Sequence, residues 1–158
     1  MSDTQPPAFD PSNFSNASYV KRAEKPWGYE LHMTPENLPY MLKILHVNAG
    51  CRLSLQLHDK KQESWTLING RAKIVWDNDK GELVETEMQS GVGYTSLVGQ
   101  RHRLVGITDC DIIEASTPED GTTWRLEDDY NRPNQTPEER AAEYAKHAKV
   151  LSESDTNS

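Results

Sequence analysis

The stretch SLQLHDKKQESW, Ser54–Trp65, sets an amide at Gln56, an imidazole at His58 and a carboxylate at Glu63 among hydrophobic residues. RLSLQLH (Arg52–His58) alternates with period two, so a strand places Leu53, Leu55 and Leu57 on one face and Ser54, Gln56 and His58 on the other. DKKQ reads as a polar turn and SWTLI as the next strand, so a hairpin brings Glu63 beside His58. With the leucines packed away, the polar face points to solvent or to a polar lumen. Further along, GQRHRL adds His102. Two neutral imidazoles, a carboxylate and an amide oxygen suit a borderline divalent ion, zinc first, with iron, manganese, nickel or cobalt as alternatives. No thiolate joins the set, which excludes the usual structural zinc site. On spacing alone the same residues fit a strand edge with a polar turn equally well.

The flanking sequence is β throughout. YMLKILHV (Tyr40–Val47), RAKIVWD, ELVETEM, GVGYTSLVGQ, RHRLVGI and DIIEAS read as short strands. Asn69-Gly70 is a tight-turn signal and NDKG another. Short strands with turns at this spacing predict an antiparallel barrel or sandwich. The one helical pattern is TPEERAAEYAKHAKVL from Thr136. There Thr136 is the N-cap, Pro137 occupies the first helical position and Glu139 completes a capping box. It reads as a peripheral or dimer-supporting element.

The chain has 158 residues, enough for one domain with a single core. Residues 1–19 are rich in Ser, Asn, Pro and Asp and are expected to form a disordered arm; 20–133 form the folded domain, and 134–158 a helix and tail. A net charge of −8 with no dense basic block argues against nucleic acid and anionic membranes as partners. No apolar run approaches a bilayer span and no signal peptide is visible, so a cytoplasmic setting is expected, with Cys51 and Cys110 as reduced, buried thiols.

The spacing G-x5-Q-x-H-x4-E-x6-G, Gly50 to Gly70, resembles the first motif of the cupin superfamily with Gln56 in place of its first histidine; the stretch around His102 resembles the second. More closely, KPWGYE, LKILHVNAGCRLSLQLH, KQESWTLINGRA, GQRHRL and RLEDDYNR, in that order, resemble the small cupin domain of type II mannose-6-phosphate isomerases. That domain is also the C-terminal part of bifunctional isomerase/mannose-1-phosphate guanylyltransferases. The resemblance implies an all-β double-stranded β-helix (jelly-roll) barrel with a C-terminal α-helix. It implies a divalent metal on Gln56, His58, Glu63 and His102, and an active-site role for Arg132. It also implies a homodimer and a small-molecule substrate, a sugar phosphate. Arg52, Lys61 and Arg103 are the further candidates for a cationic clamp on that substrate. Departures from the pattern are Lys25 and Lys61 where the family usually has arginine, Asn131 where it usually has glycine, and the absence of a proline before His102. Lysine keeps the charge but lacks the forked geometry that grips phosphate. Aldose–ketose isomerisation needs a base beside the metal, for which Glu114 is a candidate. Another cupin chemistry (oxygenase, cyclase or lyase) and sugar binding without catalysis are the alternatives.

Overall fold

A computed structural model describes residues 5–8, 10–13, 18–152 and 155. The expected disordered arm falls about half on residues outside this set; Pro11–Asn13 forms a short 3-10 turn. The strands are β1 (Lys21–Lys25), β2 (Gly28–His32), β3 (Met41–Val47), β4 (Leu55–His58), β5 (Glu63–Asn69) and β6 (Ala72–Asp77). They continue with β7 (Leu83–Glu87), β8 (Tyr94–Ser96), β9 (His102–Gly106), β10 (Cys110–Ser116), β11 (Thr123–Glu127) and, after helix α1 (Pro137–His147), β12 (Ala148–Val150). One sheet runs β12-β1-β2-β3-β10-β5-β8 and the other β11-β4-β9-β6-β7. All the strand ladders are antiparallel. The result is the expected jelly roll, built as two facing sheets rather than as a closed hydrogen-bonded barrel.

Alternation explains both the core and the site. On β3 the inward row is Lys43, Leu45, Val47; on β5 it is Glu63, Trp65, Leu67; on β10 it is Glu114, Ile112, Cys110; on β9 it is His102, Leu104. Each row is polar at one end and apolar at the other. Register aligns those ends: Ile112 lies opposite Leu45 and Leu67, while Glu114 lies opposite Lys43 and Trp65. The apolar half closes into one cluster with Trp27, Ala72, Ile74, Met88 and Tyr94. Fully burying each large side chain there contributes about 1.5–3 kcal/mol. The polar half forms the candidate site.

Five expectations are corrected. β4 and β5 are not a hairpin; they lie in opposite sheets, so DKKQ carries the chain across the sandwich. Asn69-Gly70 likewise turns a corner between sheets, because β5 pairs with β10 and β8 while β6 pairs with β7 and β9. NDKG does close a hairpin, β6–β7. Strict alternation fails at Leu53, which packs on the inner cluster because the regular strand starts only at Leu55. Helix α1 has its capping box, with Glu139 N donating to Thr136 Oγ1 (3.3 Å) and Thr136 N to Glu139 Oε2 (2.8 Å). It ends at His147, however, because Ala148–Val150 takes up the free edge of β1. Cys110 is buried and its thiol is pushed up to about 11 by that burial, whereas Cys51 is only half-buried, and both are free thiols. Among the described residues no helix is long and apolar enough to cross a membrane.

Gly70 has φ +76°, and a Cβ there would lie 2.1 Å from the Asp109 carbonyl oxygen; Gly81 has φ +74° with open space around it. Gly81→Ala is therefore expected to cost about 1 kcal/mol for the left-handed conformation alone. Gly70→Ala is expected to cost well beyond that, since backbone must shift at the corner. Urea unfolding of the two variants checks the difference; equal losses would show that the corner is not tightly packed.

Candidate metal centre and its charged cavity

Gln56 and His58 come from β4, His102 from the start of β9, and Glu63 from the start of β5 in the opposite sheet. Gln56 and His102 are direct cross-strand partners. One ligand atom from each of His58, Glu63 and His102 lies within 4.8 Å of the others, and all three residues are buried. Glu63 Oε2 is 3.4 Å from His58 Nε2 and 3.1 Å from His102 Nε2. Gln56 Nε2 lies 3.4 Å from His58 Nε2, and Gln56 Oε1 accepts from Ser54 Oγ at 2.7 Å. A half-turn of the amide presents the oxygen to the cluster instead. The hairpin pictured for this set does not exist, yet the four residues meet.

The imidazoles are held from behind. His102 Nδ1 is 3.0 Å from the Gln100 carbonyl oxygen and 3.0 Å from Ser96 Oγ; His58 Nδ1 is 3.2 Å from Thr123 Oγ1. A carbonyl only accepts, so His102 carries its proton on Nδ1 and turns a lone pair on Nε2 inward. That Nε2 is buried without a hydrogen-bond partner although it is close to an anionic carboxylate. A lone pair facing a carboxylate is repulsive unless a cation lies between them. The donor set, its orientation and this orphaned nitrogen fit a divalent ion.

Behind the cluster lies a buried lattice of charge. Lys61 pairs with Glu63, with Glu114 (2.7 Å) and with Glu119 (3.3 Å). Lys43 pairs with Glu119 (2.6 Å) and Glu30 (3.6 Å). Lys25 reaches Glu143 of α1 at 2.5 Å. Burial pushes the Glu63 carboxyl up, but the Lys61 ammonium beside it holds it well below the usual carboxylate range. Burial is likewise overcome at Glu119 by Lys43, Lys61 and Arg140, and at Glu30 by Lys25, Lys43 and His32. Burial lowers Lys43 and Lys61, yet the surrounding carboxylates raise both above the ordinary lysine value. Burial, Glu119 and Glu30 drive the Tyr144 phenol well upward, so it remains a donor.

These groups line a narrow cavity of about 60 Å³, whose lining also includes Lys25, Arg125, Arg132 and Arg140. Arg132 is held by Asp128 (Nη2–Oδ1 2.6 Å). Arg125 bonds to the Pro133 carbonyl oxygen and Gln135 Oε1, and its buried Nε has no hydrogen-bond partner. Two candidate clamp residues are not brought here. Arg52 is exposed and paired with Asp129 (2.7 Å). Arg103, next to His102 and so facing the other way, bonds to the Leu53 carbonyl oxygen (2.8 Å) and to Glu127. Lys61 is present, but as an internal counter-ion. Sequence reading missed Lys43, Glu30, Glu119, Arg140 and Tyr144. A signal existed only for Lys43, which shares the parity of Leu45 and Val47 in YMLKILHV.

A jelly roll with two histidines, a carboxylate and an amide converging between its sheets defines a cupin with a metal-type site. The comparisons agree. The model of the family "Mannose-6-phosphate isomerase C-terminal" matches residues 12–134. The alginate biosynthesis protein AlgA of Pseudomonas aeruginosa is 30% identical over 113 residues, covering 68% of this chain and 22% of that protein. The xanthan biosynthesis protein XanB of Xanthomonas campestris pv. campestris is 32% identical over 126 residues, covering 75% and 25%. This chain thus spans about a quarter of the length of those relatives. Among solved structures, oxalate decarboxylase from Bacillus subtilis superposes with TM-score 0.56 at 17% identity, over 73% of this chain and 34% of that one, which speaks to the fold. The chain belongs to the mannose-6-phosphate isomerase C-terminal family.

His58→Ala is expected to abolish stoichiometric zinc or cobalt binding, read by metal analysis after dialysis, while the β-sheet circular dichroism persists. Undiminished metal content would remove His58 from the ligand set. The depressed carboxyls also set an acid limit. With folded values below the ordinary 4.5, Glu30 and Glu119 contribute stability that is complete above about that pH and is lost as pH falls through their folded values. Glu119→Gln is expected to cost on the order of 3 kcal/mol at neutral pH, by leaving Lys43 and Arg140 short of an anion. It is also expected to flatten the decline below pH 4.5, in urea midpoints measured across pH. A parallel decline would show that Glu119 is not held ionised.

Proposed function

We propose that this chain is a metal-dependent sugar-phosphate isomerase domain of the mannose-6-phosphate type, moving a proton between the adjacent carbons of an aldose and a ketose phosphate. The observation that carries this reading is the joining, in one cavity, of a divalent-metal ligand set with lining arginines. Gln56, His58 and Glu63 line its metal end, with His102 completing the ligand set beside them, and Arg125 and Arg132 also line the cavity. A divalent cation at the ligand set would supply the positive charge that an enediolate needs. The chain's own residues supply the rest. Lys61 and Lys43, kept protonated, add fixed positive charge on the same side. Glu114 and Glu119 line the cavity without belonging to the ligand set, and are the carboxylates available to carry the proton. A space of about 60 Å³ admits only the reacting end of a sugar phosphate, set against the roughly 300 Å³ of ordinary ligand pockets. The phosphate therefore lies toward Arg125 and Arg132, whose forked donors match its oxygens. Family membership supports the substrate class.

The test is interconversion of mannose 6-phosphate and fructose 6-phosphate by the full chain loaded in turn with zinc, cobalt, nickel, manganese or ferrous iron. Turnover is expected, and Arg132→Ala is expected to raise KM about 10–100-fold, as loss of a charge-assisted phosphate contact does. Sugar-phosphate binding without turnover in shown-to-be-loaded protein would favour a sugar-binding cupin. Oxygen consumption with iron would favour an oxygenase. Either result defeats the isomerase reading.

A further inference from the structure

Helix α1 lies beyond the residues matched by the family model, yet its one buried residue, Arg140, points at the metal centre. The guanidinium donates through Nη1 to the Glu119 carbonyl oxygen (2.6 Å). Through Nη2 it reaches the Gly121 carbonyl oxygen (3.1 Å), Thr123 Oγ1 (3.2 Å) and the Gln135 carbonyl oxygen (3.4 Å). Thr123 Oγ1 in turn lies 3.2 Å from His58 Nδ1, and Thr123 is the cross-strand partner of His58. The path Arg140–Thr123–His58 thus joins the helix to a metal ligand through two hydrogen bonds.

The two imidazoles are held differently. His102 has a carbonyl behind it, which only accepts and so settles the tautomer unaided. His58 has a hydroxyl, which can give or take a proton. If that hydroxyl donates to Nδ1, the ring proton sits on Nε2, where the cation has to bind. If it accepts from Nδ1–H, Nε2 is free. Arginine can only donate, so it ties down one lone pair and fixes where the oxygen sits behind the His58 ring, while the hydroxyl keeps a second lone pair with which to accept from Nδ1–H. We propose that Arg140 is a positioning residue of the metal centre, acting through Thr123 to present His58 Nε2 to the ion, which makes helix α1 part of the site. This rests on the reading of His58 as a ligand.

The experiment measures zinc affinity of the full chain by chelator competition, with the His58 tautomer read in the metal-free protein from ring-nitrogen NMR shifts. Removing Arg140 outright takes the side-chain donor from the Glu119 and Gly121 carbonyls and can unfold the helix, so the deciding variants are Thr123→Val, Thr123→Ser and Arg140→Lys. Thr123→Val is expected to weaken zinc binding about tenfold or more, the usual effect of losing a group behind a metal-bound histidine. Thr123→Ser should restore affinity close to the parent value. Arg140→Lys should weaken zinc binding and change the His58 ring-nitrogen shifts, and should add nothing further in the Thr123→Val background. Parent-like affinity in Thr123→Val or Arg140→Lys, or additive losses in the double variant, would overturn the path while leaving the metal reading intact. A parent chain that binds no zinc would overturn both.

Discussion

Every carboxylate buried between these two sheets has to meet a cation, and much of the architecture follows from that constraint. Glu30 comes from β2, Glu63 from β5, Glu114 from β10 and Glu119 from the connection after it; their partners Lys43, Lys61 and Arg140 come from β3, from the turn between β4 and β5, and from α1. Transfer of each ion from water costs several kcal/mol even after relaxation, and pairing roughly returns it. A buried lattice of this kind is therefore weak evidence of added stability, because an apolar core of the same shape would do as well. Its effect is geometric. It ties four strands of the seven-stranded sheet, the crossing between β4 and β5, and the helix to one point, and that point is the cavity beside the candidate ligands.

The ligand set depends on packing as much as on charge. Gln56, His58 and His102 belong to one sheet and Glu63 to the other, so they converge only when the sheets are at the right separation. That separation is set one step along the same rows, by Trp65 and Leu67 on β5 and by Leu104 on β9. Trp65 also lies against the His102 ring, with centroids 5.0 Å apart. Core and site are thus two ends of one set of strands. A change of volume in the apolar half reaches the metal end through the separation of the sheets.

Strands β3 to β10, the convergence of His58, Glu63 and His102 and the capping box of α1 were legible because each rests on local pattern: period two, spacing and short-range hydrogen bonding; β1, β2, β11 and β12 were not read as strands. Which sheet a strand joins is not local. DKKQ reads as a hairpin turn by composition, and only the pairing of β4 with β9 and of β5 with β10 makes it a crossing. Nor does a solvent-like helix sequence tell that Arg140 will be buried, since three of its hydrogen bonds go to backbone carbonyls that any sequence supplies. Arg103 misled for the opposite reason. It sits beside a ligand in sequence, and alternation on β9 sends it to the other face.

Lys61 is where the physical reading changed most. By comparison with the family's arginine it reads as a weakened phosphate ligand, but its ammonium is enclosed by Glu63, Glu114 and Glu119. A compact ammonium with three donors can face carboxylates from three directions, whereas a planar guanidinium wants acceptors in its own plane. Lysine therefore suits this enclosed position. The contact also divides the ligand carboxylate: Lys61 faces Glu63 Oε1, leaving Oε2 toward both imidazoles. Holding one oxygen fixes the rotation of the carboxylate and turns the other to the ligand cluster. In this chain the residue two positions before the ligand acts on the metal end of the cavity, by orienting Glu63, and not on the distal end of the substrate.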